Sequence, residues 1–240
     1  MLFDNELQGQ TGMIDDYAHA INITGLYLRE NDRLDIHNVD LLTDNQLDAI
    51  NNIPGNEINS VGETALEGII DYLIGQKKMG QFRTVWTSFG NILNLFINKE
   101  ISVSYAFQPV AKFAQAEGAA VGYATLEEGP QIFEDNFYLT KGGAERDRNE
   151  GYYRLGEYSL SPFYGAEHLR TSGLSPVMKP ELILEYAEEN YDEETVEQIQ
   201  ADQEARKARL TANGNVNSVN NPFPQDLQLY LNEWERFQNA

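Results

Sequence analysis

Residues 80–129, GQFRTVWTSFGNILNLFINKEISVSYAFQPVAKFAQAEGAAVGYATLEEG, switch repeatedly between two kinds of periodicity, and that switching leaves few folds open. Residues 81–86 are a short run rich in β-branched and aromatic side chains. Ser88 is placed to cap a helix whose apolar residues Ile92, Leu93, Phe96 and Ile97 share one face. Residues 101–107 extend again. Pro109 suits the first turn of a second helix, Gly118 suits its stop, and residues 119–125 read as a third strand. Strand, helix, strand, helix and strand in about fifty residues require parallel strands joined by crossover helices, so the fold class is α/β.

The flanks extend this pattern. Residues 11–14 read as a strand, after which Asp15 or Asp16 caps a helix reaching about residue 28. Thr43 with Gln46, and Ser60 with Glu63, have capping-box spacing. The second box opens an amphipathic helix carrying Leu66, Ile69, Ile70, Leu73 and Ile74, which Gly80 ends. Beyond residue 142 the pattern turns helical over 146–160, 162–171, 180–191 and 192–210, the last mostly polar and expected to lie exposed. Residues 211–224 form an Asn-rich loop before a terminal helix that carries Trp234.

Composition narrows the function classes. Among 240 residues, 38 acidic side chains stand against 17 basic ones, and the net charge of -21 argues against a phosphate-backbone partner, so no nucleic acid is expected. With no cysteine there is neither a disulfide framework nor a thiolate metal site or nucleophile. His19, His37 and His168 lack metal spacing, the glycines at 62, 142 and 143 lack a phosphate-loop pattern, and residues 188–194 lack the glycine of a calcium loop. No enzyme activity, metal or cofactor is therefore expected. Nor is there an apolar run of the roughly 20 residues that span a bilayer.

The order of short motifs resembles one family. Gln81-Phe82-Arg83, Trp86-Thr87-Ser88, Lys99-Glu100-Ile101, Pro109, Gly118 and Glu128-Gly129 are similar, in sequence order and spacing, to the second lobe of periplasmic solute-binding proteins of ABC importers, of the spermidine/putrescine-binding type. Upstream, Leu2-Phe3-Asp4 and Gly12-Met13-Ile14-Asp15-Asp16 resemble the family's path into that lobe. Downstream, Ile132 to Asn136 resembles the strand returning to the first lobe, and residues 153–173 and 225–237 resemble its closing helices. The resemblance implies a periplasmic-binding-protein-like (type II) fold, with residues 1–131 as the second lobe and 132–240 as the C-terminal portion of the first. It also implies that the first part of lobe one and a signal peptide belong to a missing N-terminal segment, so that the protein is periplasmic.

The same resemblance implies a binding site and partners. The function it implies is capture of a small solute, a polyamine-like cation above all, in an interlobe cleft, with delivery to an ABC permease in the membrane. Hinges are expected near residues 2–4 and 129–135. Asp16 and Asp135 fall where the family meets amines with carboxylates, Phe107 and Phe133 where it places box aromatics, and Ser88 at a polar contact. His19 stands where these binders carry a further acid, and the two phenylalanines stand where they carry tryptophan. Each residue also has a plainer role: Asp16 and Ser88 as helix caps, Asp135 as a turn former, Phe107 and Phe133 as core. A fragment without early lobe-one strands is expected to self-associate or take up a complementing segment. The alternative to solute binding is an acidic protein-interaction module.

Overall fold

The computed structural model describes residues 1–30, 65–126, 131–132, 137–145, 149–174, 176–210, 219–220 and 227–240. The capping boxes at 43–46 and 60–63, His37, and the candidate site residues Phe133 and Asp135 lie outside them. The described residues form a mixed α/β protein, mostly helical, with a small parallel sheet of three strands.

After a 3-10 turn at Asn5–Leu7 come β1 (Thr11–Ile14), α1 (Tyr17–Glu30), α2 (Ala65–Lys78), β2 (Phe82–Trp86), α3 (Phe89–Ile97), β3 (Val103–Ser104) and α4 (Gln108–Ala116). The chain continues through β4 (Gln131–Ile132), α5 (Lys141–Ala144), α6 (Asn149–Ser159), α7 (Pro162–Ser172), α8 (Pro180–Asn190), α9 (Glu193–Leu210), β5 (Val219–Asn220) and α10 (Leu227–Asn239). Two compact units share this chain. The first comprises residues 1–106, 124–133 and 210–240; the second comprises 107–123 and 134–209. They do not coincide with a division at 131, because residues 107–123 fall in the second unit and α10 in the first.

In the first unit β1 lies between β2 and β3 and runs parallel to both. Ile14 pairs with Trp86, and Gly12 with both Thr84 and Ser104. Gly12 is required by contact rather than by backbone angle: a Cβ there would sit 2.9 Å from Ser104 Oγ and 3.2 Å from Ile101 Cδ1. The apolar stripe of α2 buries Leu66, Ile69, Ile70 and Leu73, as its spacing predicts. α2 packs on α1 and α10, and α10 packs on α1. Lys77 holds the end of α10 by donating to the carbonyls of Phe237 (3.0 Å) and Gln238 (2.9 Å), which a cation at a helix C-terminus does well. Gly80 and Gly118, expected as helix stops, have φ of 76° and 84°, values that L side chains rarely adopt.

Two expected strands come out differently. The run 101–107 contributes only Val103–Ser104 to the ladder, because β1 offers pairing at Thr11 and Gly12 alone on that side. Residues 119–125 form no strand. Val121 donates to Ala119 O and accepts from the Gln115 side chain, and residues 122–125 are exposed, so neither a ladder nor a core face is available to extend them. Within the Asn-rich loop, Val219–Asn220 pairs in parallel with Gln131–Ile132.

The second unit is helical, and α7 is its hub, with α4, α6 and α8 packed on it. Its core is Ala166, Leu169, Ile183, Ala187 and Ile199. Ser161 caps α7 by accepting from Tyr164 N–H, and Pro162 takes the following position, where a missing N–H costs nothing. α9 is largely exposed, as expected of its composition, yet it buries Ile199 and Arg209.

Candidate functional site

A parallel sheet sends every strand toward one edge, so the segments after β1, β2 and β3 emerge together there. In open α/β sheets ligands collect at that carboxyl edge, where the strand order reverses direction. With the order β2-β1-β3, the reversal lies between β1 and β3. Asp15, Asp16 and His19 follow β1, Thr87 and Ser88 follow β2, and Tyr105 follows β3.

Asp16 is the N-cap of α1. Its Oδ1 accepts from His19 N–H at 2.9 Å and lies 2.6 Å from His19 Nδ1. Burial raises the Asp16 pKa, but the bonds from the His19 ring, from the backbone N–H groups of His19 and Ala18, and the His19 charge outweigh it. The carboxyl is held below its ordinary range. The Asp16 side chain is 38% exposed against 16% for His19, so a carboxylate edge still faces water. Tyr105 stands beside His19, ring centroids 5.6 Å apart. A carboxylate, an imidazole and a phenol ring thus meet at the β1/β3 reversal.

The neighbouring groups serve structure. Asp15, two residues before the first helical turn, accepts from Trp234 Nε1 (3.1 Å) and Gln238 Nε2 (2.8 Å), tying α10 to the end of β1. Trp86 Nε1 donates to Ser104 Oγ at 3.0 Å, across β1, and the Ser104 hydroxyl sits 2.8 Å from the carbonyls of Gly12 and Tyr105. Ser88 is exposed and caps α3 by accepting from Asn91 N–H at 3.3 Å. An open depression of about 280 Å³ lies along β2 and α3, lined by Thr84, Trp86, Asn91, Asn94, Leu95 and Glu100. It involves none of the expected ligand residues.

Asp16, His19 and Ser88 therefore stand at one edge of the first unit, while Phe107 belongs to the second unit, where it is the half-buried N-cap of α4. Tyr105 and Asp15 are absent from the sequence-derived set. The Gly12 within a strand signals a close approach that brings Ser104, and Tyr105 after it, next to β1. The sequence offers Asp15 only as an alternative helix cap, and nothing local signals its bonds to partners more than two hundred positions away. Among the described residues no three His, Asp or Glu side chains are grouped to hold a metal ion, and no helix is long and apolar enough to cross a membrane. Compared with protein-family models, curated proteins and solved structures, the chain matches none of them.

Proposed function

We propose that this chain is the substrate-binding component of an ABC importer, of type II periplasmic-binding-protein-like fold. On this reading it captures a small solute, a polyamine-like cation above all, and delivers it to a membrane permease without making or breaking a bond. The observation that carries the reading is the group Asp16, His19 and Tyr105 at the β1/β3 reversal of a parallel sheet. A bound ammonium must replace its lost hydration with a carboxylate or hydroxyl, and an aromatic face adds attraction. Asp16, whose pKa is held below the ordinary carboxylate value by His19, is available as a carboxylate at neutral pH. The acidic net charge of -21 favours encounter with cations over anions.

Calorimetric titration of the full chain with 1,4-diaminobutane, spermidine, neutral amino acids and small dicarboxylates tests the reading. An amine should give a saturable isotherm, and Asp16→Asn should weaken it by roughly 2–5 kcal/mol, the range for a desolvated charge pair that loses one member. Asn preserves the cap, so folding is retained. Amine affinity within about twofold of the parent, under 1 kcal/mol, would remove Asp16 from the site. No heat with any amine would remove the polyamine reading.

A second reading, an acidic protein-interaction module, is favoured by exposed apolar side chains of the second unit. Phe137, Tyr138, Tyr153 and Leu160 are all more than half exposed, at 60%, 81%, 62% and 54%. Light scattering that shows a concentration-dependent mass, together with silence toward all solutes, is the result this reading expects.

A further inference from the structure

Near the end of α9 the second unit gathers cations around a single carboxylate. Asp202 forms an ion pair with Lys112 of α4, and the side chains are 13% and 14% exposed. Arg206 and Arg209 follow on the same helix, four and seven residues beyond Asp202, which puts all three on one face. Arg209 is 7% exposed, its guanidinium lies 5.2 Å over the Tyr123 ring, and its Nη2 has no hydrogen-bond partner. Among the described residues, no ion pair joins Arg206 or Arg209 to a carboxylate. Lys112 and Arg209 thus share one acid, with Arg206 beside Arg209, in a chain whose acidic residues outnumber its basic ones by 38 to 17.

A buried guanidinium with an unsatisfied N–H group is costly unless a counter-charge completes it. The cation–π contact with Tyr123 engages the face of the group and leaves its edge donors free. Burial lowers the Arg209 pKa, against the opposing influence of Tyr123 and Asp202, and Arg206 is lowered by desolvation and by the Arg209 charge. Three residues apart on one helix, the two arginines are neighbouring cations. The C-terminal dipole of α9 opposes an anion beyond the last carbonyls. Helical side chains lean toward the N-terminus, however, which lays both arginines back over the turns bearing Asp202.

We propose that Arg209 and Arg206 hold a small oxyanion, the phosphate or carboxylate group of a metabolite, beside Tyr123 in the second unit. The planar fork of arginine matches two oxygens of either group at once. A phosphate polymer is disfavoured by the net charge, so the ligand is a small molecule. This site is independent of the amine reading, since Asp16 takes no part in it.

The test is calorimetric titration of the full chain with sodium phosphate and, separately, with succinate, at constant ionic strength set by sodium chloride. One of the two should bind saturably with a Kd of about 1 mM or tighter. Phosphate binding without succinate binding identifies a phosphoryl group, and the converse identifies a carboxylate. Arg209→Gln should abolish the isotherm and Arg206→Gln should weaken it about tenfold or more. Asp16→Asn should leave it unchanged, which separates this site from the amine site. Arg206 is exposed, so its variant keeps the fold if Arg209→Gln does not. Absence of saturable binding of either anion by the parent, or binding that Arg206→Gln leaves intact, overturns the proposal.

Discussion

The two units bury polarity differently: the first buries mainly neutral groups, with Glu233, paired to Arg236, as its buried charge, and the second buries charges. In the first, the Gln81 side chain donates to the carbonyls of Leu2 (3.1 Å) and Asp4 (3.0 Å), Thr11 Oγ1 donates to Gln81 O, and Ser104 meets the carbonyl of Gly12. These bonds satisfy backbone and hold their strength over a wide pH range, because none of the groups titrates. In the second, Lys112, Asp202 and Arg209 take charges out of water. Charges so placed demand a counter-charge, so the second unit is the more sensitive to a single substitution and to added anions. The contrast has a simple physical basis. A sheet supplies many carbonyls and N–H groups at its ends for neutral side chains to serve, whereas packed helices satisfy their own backbone and leave side chains to pair with each other.

The largest effect expected from breaking this contrast is at Asp202. Asp202→Ala leaves Lys112 without its ion-pair partner and Arg209 without its nearby acid, and should destabilise the second unit by about 3–5 kcal/mol, the range for removing one partner of a buried pair. Hydrogen exchange should show the loss in α8 and α9, with β1 and α2 still protected. Equal loss in both units would mean that they unfold as one, and the comparison would fail.

Leu73→Ala is the matching cut in the first unit. Leu73 is fully buried in α2, so its removal should cost about 2–5 kcal/mol through lost burial and the cavity left behind. Protection should fall in α1, α2 and α10, which pack together, and denaturant melts followed at Trp86 and Trp234 should shift with it.

A smaller effect is expected at Gly12. Gly12→Ala brings a methyl group to 2.9 Å from Ser104 Oγ and should cost about 1–3 kcal/mol by overpacking. Ser104→Ala in the same chain should recover part of that cost by removing the crowding atom. Additive losses in the double variant would mean that the close approach is not what requires glycine.

Asp16 should give the smallest change. Its folded pKa is depressed, so the stability it contributes is complete above the ordinary carboxylate value of 3.8 and is lost as pH falls through the lower folded value. With the carboxylate 38% exposed, solvent screening holds this to less than about 1 kcal/mol. The Asp16→Asn variant should therefore melt slightly below the parent at pH 7, and the two profiles should converge as the pH falls below about 4, where the parent loses this contribution. An unaltered acid limb would show that the Asp16–His19 contact adds nothing to folding.

Much of the fold was legible because it is local. The caps at Asp16 and Ser88, the stops at Gly80 and Gly118, the proline at the start of α4 and the buried stripe of α2 each depend on residues within a turn or two of one another. Their periodicity and backbone chemistry are written in adjacent positions, so α/β alternation could be read without knowing any partner. Of the candidate site, Asp16, His19 and Ser88 were singled out by the family resemblance, with Asp16 and Ser88 also placed as helix caps, and all three fall after strands at the carboxyl edge of the sheet. That edge position follows from strand direction once the strands are parallel.

Everything else required partners distant in the chain. Residues 119–125 have the composition of a strand but no ladder to join, and β3 is short because β1 offers only two positions to it. Asp15 rather than Asp16 ties down the terminal helix because Trp234 and Gln238 arrive there. Tyr105 meets His19 because a glycine in β1 admits Ser104. The polar helix α9, unremarkable by period, buries Arg209 because Tyr123 comes to lie beneath it. The sequence by itself determined where helices begin and end and which way the chain alternates, since those depend on short-range sterics and capping. Tertiary structure decided which strands pair, which acid is bonded and which cation is left wanting an anion, because pairing, desolvation and charge balance are properties of neighbours in space.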